Sequence, residues 1–168
     1  MRWQTLLVPH DYSPCADRAL NLAVDLAKTH QARIVILHVT DLPPGLTADA
    51  MVSDRETGDM VRVDAYAEKA AMRELAARVD PLRAAGLTVD ARSALGDIAD
   101  SILEAATEEQ ADLIVMGTHG RTGLAHLFLG SMAEKILRHA TVPVLTVRER
   151  TEPRRTTGDM VVTDLATD

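Results

Sequence analysis

Leu113-Ile114-Val115-Met116-Gly117-Thr118-His119-Gly120 opens as an unbroken apolar run and closes on glycine. The chain then reaches Gly130-Ser131-Met132-Ala133-Glu134-Lys135-Ile136-Leu137, a helical pattern, and Val142-Pro143-Val144-Leu145, apolar again. A short apolar run without alternation is the pattern of a strand buried on both faces. Strand, glycine loop, helix and strand make one crossover unit, whose two strands lie parallel.

Upstream, the same grammar repeats. Leu6-Leu7-Val8 is a buried-type strand, and Ser13-Pro14 reads as an N-cap followed by a first-turn proline. Ala16, Ala19, Leu20, Ala23 and Ala27 then fall on one helical face. A second strand runs over 33–39, and 41–58, with Pro43-Pro44-Gly45, reads as a long loop. Val63, Ala67, Ala70, Ala71, Leu75 and Val79 mark a longer helix that Pro81 is expected to kink or end, with Gly86 closing it. Residues 87–95 form a third strand, and Gly96-Asp97 caps a helix carrying Ile98, Ile102, Ala105 and Ala106. Five strands alternating with helices predict an α/β fold: a doubly wound open sheet of five parallel strands, order 3-2-1-4-5, with helices on both faces. The domain is expected to occupy 1–148, leaving a polar, flexible tail at 149–168. Thr57-Gly58-Asp59-Met60-Val61 recurs there as Thr157-Gly158-Asp159-Met160-Val161, a match taken as chance.

Composition narrows the function. Aromatic residues are 2% of 168, too few for a base-stacking platform, and a net charge of −7 repels phosphate backbones, so no nucleic acid is expected. No apolar run approaches the roughly 18 residues of a membrane span, nor does the start read as a signal peptide, so no membrane partner is expected. Cys15 is the only cysteine, and the expected compartment is the cytoplasm. It stands at a helix start, where a lowered pKa is one reading and an unremarkable small residue the favoured one. His38, in an apolar strand, reads as a buried, hydrogen-bonded histidine. His119, His126 and His139 lack the paired spacing of a zinc site, so no metal ligands are assigned. Asp17 and Asp25 read as ordinary solvated charge.

In open parallel sheets ligands sit beyond the carboxyl ends of strands, where the strand order reverses. In this order that point lies between strands one and four. It brings Pro9-His10-Asp11-Tyr12-Ser13 beside the loop Gly117 to Gly130. Four glycines in that loop let the backbone approach an anion, and the amides of Gly130, Ser131 and Met132 open a helix whose dipole favours negative charge. Taken singly, Gly117 and Gly120 are better explained as residues that turn the chain after a strand, and Gly130 as one that lets the helix pack.

The pattern Gly117-x2-Gly120-x9-Gly130-Ser131 resembles the nucleotide-binding motif of the universal stress protein family. Val8-Pro9-His10-Asp11-Tyr12-Ser13 is similar to that family's first strand and loop, His38-Val39 to its second strand end, 130–137 to its last helix and 142–145 to its last strand. The resemblance covers about 3–148. It implies ATP, with Mg²⁺, as the cofactor and a role in stress response. Asp11, with the backbone around Pro9 and His10, would hold the ribose, and Val39 would meet adenine. Gly117, Gly120, Gly130, Ser131 and Met132 would hold the phosphates, with Met116 at the strand end and His119 and Arg121 in the loop. Arg121 is as readily a solvated arginine as a phosphate contact. Ala133 departs from the threonine that some ATP-binding members carry there.

The chain has no P-loop lysine motif and no G-x-G-x-x-G, so catalysis is assigned to no residue and binding is favoured over hydrolysis. The expected role is a nucleotide-dependent conformational or regulatory switch for a protein partner not named by the sequence, with nucleotide ordering the 117–130 loop and, as a second candidate, the 41–58 loop. The alternatives are a slow ATPase or phosphate-transferring enzyme on the same site, and a nucleotide-free adaptor. The family commonly dimerises through the last strand, and Val142 to Val147 is apolar enough to leave an exposed edge otherwise, so a homodimer is expected.

Overall fold

The computed structural model describes residues 2–118 and 130–148. Strands β1 (Thr5–Pro9), β2 (Arg33–Thr40), β5 (Val89–Leu95), β6 (Leu113–Gly117) and β7 (Val144–Val147) form one sheet in the order β5-β2-β1-β6-β7. All four pairings are parallel. Counting only these strands, the order is the expected 3-2-1-4-5.

Period-two alternation along the strands divides the core. Leu6, Val8, Ile34, Ile36 and Val115 face α1 (Pro14–His30) and α2 (Val63–Ala84), meeting Ala19, Leu20, Ala23, Leu75 and Val79. Leu7, Val35, Leu37, Ile114 and Met116 face α3 (Ile98–Glu108) and α4 (Ser131–His139), meeting Ala99, Ile102, Ala133 and Ile136. Helices before the strand-order reversal thus cover one face, and those after it the other. The alanines let the helices sit close to a sheet built from larger aliphatic residues.

The local start signals act as read. Ser13 caps α1 by accepting the Ala16 N–H, and Asp97 caps α3 by accepting the Asp100 N–H. At the opposite end of the sheet from these caps, Asp112 accepts the Gln4 and Thr5 amides, and Trp3 packs edge-on to His30 at the end of α1.

Two expectations are corrected. The stretch read as one loop contains β3 (Met51–Ser53), which pairs antiparallel with β4 (Met60–Arg62) as a separate hairpin. Its turn is local: Asp54 accepts the Glu56 N–H, the Gly58 N–H bonds the Asp54 carbonyl, and Gly58 sits at φ +78°. Asp54 is buried and accepts from Lys69 of α2 at 2.9 Å, which ties the hairpin to that helix. Strands of three residues show too little alternation to read. Of the two readings of Pro81, ending α2 is excluded, because the helix continues to Ala84; Gly86, at φ +85°, follows that end as read. A proline so near the C-terminus removes one hydrogen bond, while Val79 and Leu82 on either side remain packed on the sheet. Two strands are also shorter than read, starting at Val89 and Val144. The tail lies outside the described residues. Among the described residues no helix is long and apolar enough to cross a membrane.

Candidate functional site

A cavity of about 510 Å³ opens at the carboxyl ends of the strands, where β1 and β6 part company. Its polar side is built from Pro9, His10 and Asp11 after β1, Gly117 and Thr118 after β6, and Gly130, Ser131 and Met132 at the start of α4. Its apolar wall is Leu37 and Val39 of β2, Ile98 and Ile102 of α3, and Met116 of β6. Nine of the twelve residues singled out from the sequence therefore line one cavity: Pro9, His10, Asp11, Val39, Met116, Gly117, Gly130, Ser131 and Met132. The other three, His119, Gly120 and Arg121, lie outside the described residues.

Ile98, Ile102, Ala16, Thr118 and Ala133 also line the cavity and were not singled out as site residues. Ile98 and Ile102 are one helical turn apart, and that spacing signals a core-facing stripe whether or not the stripe borders a cavity. Lys135, the first cation of α4, pairs with Asp97 at 3.1 Å and Asp100 at 2.9 Å, strapping α4 to the start of α3. Among the described lining residues there is no lysine or arginine.

The glycines do two jobs. A Cβ on Gly117 would stand 2.8 Å from Cys15 Sγ, so this glycine lets α1 approach β6. A Cβ on Gly130 would stand 2.8 Å from the Thr118 carbonyl oxygen. The Gly130 N–H donates to that same oxygen at 3.1 Å, which corrects its expected place among the amides offered to an anion. The amides of Ser131, Met132 and Ala133 remain as the first-turn donors without intrahelical acceptors. Thr118 is held in turn by Val147, whose carbonyl accepts the Thr118 N–H at 2.9 Å and the Cys15 thiol at 3.3 Å.

The loop after β1 is fixed from below. His10 is buried; its Nδ1 accepts the Tyr12 N–H at 3.1 Å, and its Nε2 lies 3.0 Å from Asp17 Oδ1. Because an amide can only donate, Nδ1 is unprotonated and Nε2 carries the proton that Asp17 accepts. Arg78 of α2 donates to the same Asp17 oxygen at 3.0 Å and lays its guanidinium 5.0 Å from the Tyr12 ring centroid. Asp17 is thus a structural anchor, not the ordinary solvated charge expected. Tyr12 adopts φ +67°, a conformation that costs a side-chain-bearing residue on the order of 1 kcal/mol. Its surroundings hold it there: the ring stacks on His38 at 4.3 Å and the hydroxyl donates to the Ala71 carbonyl. His38 is buried as expected, and its Nδ1 donates to the His10 carbonyl at 2.8 Å. Asp11 closes the turn by accepting the Ser13 N–H at 3.0 Å.

Residues 2–148 match the model of the universal stress protein family. A universal stress protein of Thermus aquaticus is 34% identical over 151 residues, spanning 87% of this chain and 99% of the relative. Among solved structures, the universal stress protein UspA from Lactobacillus plantarum is 25% identical, with a TM-score of 0.68 over 88% of this chain and 99% of that one. A universal stress protein solved in complex with cAMP is 26% identical, with a TM-score of 0.57 over 88% of this chain and 98% of the other.

The contact under Gly130 has a direct consequence. Gly130→Ala forces a methyl against a backbone oxygen, so it should cost about 1–3 kcal/mol and lower the thermal midpoint of ligand-free protein. Calorimetry of the variant without ligand checks this. An unchanged midpoint would mean that the Thr118 strand end yields freely.

Proposed function

The chain belongs to the universal stress protein family, and from that premise we propose that it binds ATP in the cavity at the strand-order reversal and acts as a nucleotide-dependent switch in stress response. The observation that carries this reading is the meeting, in one cavity, of three complementary surfaces. The aliphatic wall of Val39, Ile98, Ile102 and Met116 suits a flat base. The Asp11 carboxylate suits ribose hydroxyls, which it can accept from. The amides opening α4, with the Ser131 hydroxyl and the helix dipole, suit phosphate oxygens. The relative solved with cAMP also favours an adenine nucleotide. Ala133 offers no hydroxyl, so the phosphate contacts rest more heavily on Ser131 and on backbone amides.

Bound ATP would supply a removable anionic ligand that bridges the two halves of the sheet. Magnesium would arrive on the phosphates: among the described residues no group of three acidic, histidine or cysteine side chains is placed to hold an ion. Fixed cations at the transferring phosphate are the main protein contribution to phosphoryl transfer. We read the site as a binder with weak or no hydrolysis because the sequence carries no P-loop lysine motif.

Two substitutions separate binding from folding better than Gly130→Ala. Asp11→Asn and Ser131→Ala should each weaken ATP roughly tenfold, about the worth of one charge-assisted hydrogen bond, with little change in ligand-free thermal midpoint. Isothermal titration checks this, and parental protein that binds no ATP rejects the reading. The switch is tested separately by limited proteolysis with and without saturating ATP. Different cleavage patterns are expected, and identical patterns leave a binder that does not switch.

A homodimer through β7 belongs to the same proposal. Pro143 and Val147 turn their carbonyls to Ile114 and Thr118 beside β6, so by alternation Val144 and Thr146 turn their backbone groups outward. That edge has no partner strand among the described residues. Thr146→Pro removes one outward N–H and should dissociate a strand-paired dimer while the fold persists. Sedimentation of the variant as a dimer would place the contact elsewhere.

A further inference from the structure

Both ring nitrogens of His10 are engaged inside the protein, one by the Tyr12 amide and the other by Asp17. That is an unusual use of a histidine beside a ligand cavity. The ring does not offer a donor to a ligand; it offers an acceptor to the backbone one residue beyond Asp11. We propose that His10 is a positioning residue: its neutral ring, with Nδ1 toward the Tyr12 amide, holds the turn that presents the Asp11 carboxylate, and a second proton on the ring releases that turn. The ligand in this inference rests on the nucleotide reading above, whereas the coupling of ring to turn does not.

The geometry makes the effect directional. An imidazolium carries hydrogen on both nitrogens, so Nδ1–H would face the Tyr12 N–H across 3.1 Å with no acceptor between them. Tyr12 at φ +67° is stable only while its surroundings hold it, and the Nδ1 bond is a constraint that acts directly on its amide. Losing it lets Tyr12 relax toward negative φ. Asp11, joined to Tyr12 and bonded to the Ser13 amide, must turn with it.

Asp17 faces the ring from α1, Arg78 approaches from α2 through the same Asp17 oxygen, and Asp11 stands on its own loop. His38 of β2 grips the His10 carbonyl and stacks on Tyr12. Burial first, and then the Arg78 charge, hold the His10 pKa below the ordinary histidine value of 6.5, while Asp17 and Asp11 pull it the other way. The sign follows from that direction. The neutral ring is the folded form at pH 7, and its contribution to stability is complete above 6.5. That contribution declines as pH falls from 6.5 through the lowered folded value. Nucleotide affinity follows the same fraction of neutral ring.

The test has a ligand-free arm and a ligand arm. In ligand-free protein, the Tyr12 and Ser13 amide resonances should titrate together with the His10 ring between about pH 8 and 5. In the second arm ATP is titrated at both ends of that range onto parental protein and onto His10→Asn. Asn offers an oxygen where Nδ1 stood and cannot take a proton. The parent should lose roughly tenfold more affinity than His10→Asn on acidification, the titration of ATP itself being common to both. Asp17→Asn keeps an acceptor for Nε2–H but removes the charge that favours imidazolium, so it should move the acid loss to lower pH. Amides that ignore the His10 titration overturn the proposal, as do parental and His10→Asn affinities that fall in parallel. Failure of ATP to bind at pH 8 overturns the nucleotide reading instead, and the amide titration then decides the role of His10 alone.

Discussion

The organising constraint is that β1 has neighbours on both edges and helices on both faces. The chain runs from β1 outward through β2 to β5, then returns across to β6 and runs outward the other way to β7. Each crossover must be right-handed. The two halves are therefore forced onto opposite faces, and their loops splay apart above the end of β1. The cavity is the space left by that divergence. It needs no residue chosen to open it, only residues chosen to line it.

This explains which parts of the molecule were legible in the sequence. Strands buried on both faces announce themselves as apolar runs, and Ser13-Pro14 and Asp97 announce helix starts through hydrogen bonds made within one turn. The motif residues of the cavity were legible for the same reason, because each belongs to a short segment with its own signature. The hairpin was missed because its stability comes from Asp54 bonding locally and to Lys69, fifteen residues away, and not from an apolar pattern. Asp17 was misread because a carboxylate early in a helix looks solvated until Arg78, from another helix, is brought beside it. Tertiary contacts of this kind leave no periodic trace.

The glycines show how packing and ligand chemistry share positions. Gly117 and Gly130 are required by the approach of Cys15 and Thr118 whatever fills the cavity. Their presence in a phosphate-type motif is therefore weaker testimony than the amides that follow them. Asp11 and Ser131 line the cavity with side chains that are not needed to bring the strands and α4 together.

The scarcity of aromatic rings has an optical corollary. Trp3, the single tryptophan, packs on His30 at the amino end of β1, whereas the cavity lies at the carboxyl end, roughly 15–20 Å along a five-residue strand. Its emission reports the integrity of the sheet around it and is nearly blind to events at the cavity. Tyr12, stacked on His38 beside the cavity, is the local chromophore, read in near-ultraviolet circular dichroism. The protein thus carries two separate intrinsic signals, one for the whole fold and one for its crevice.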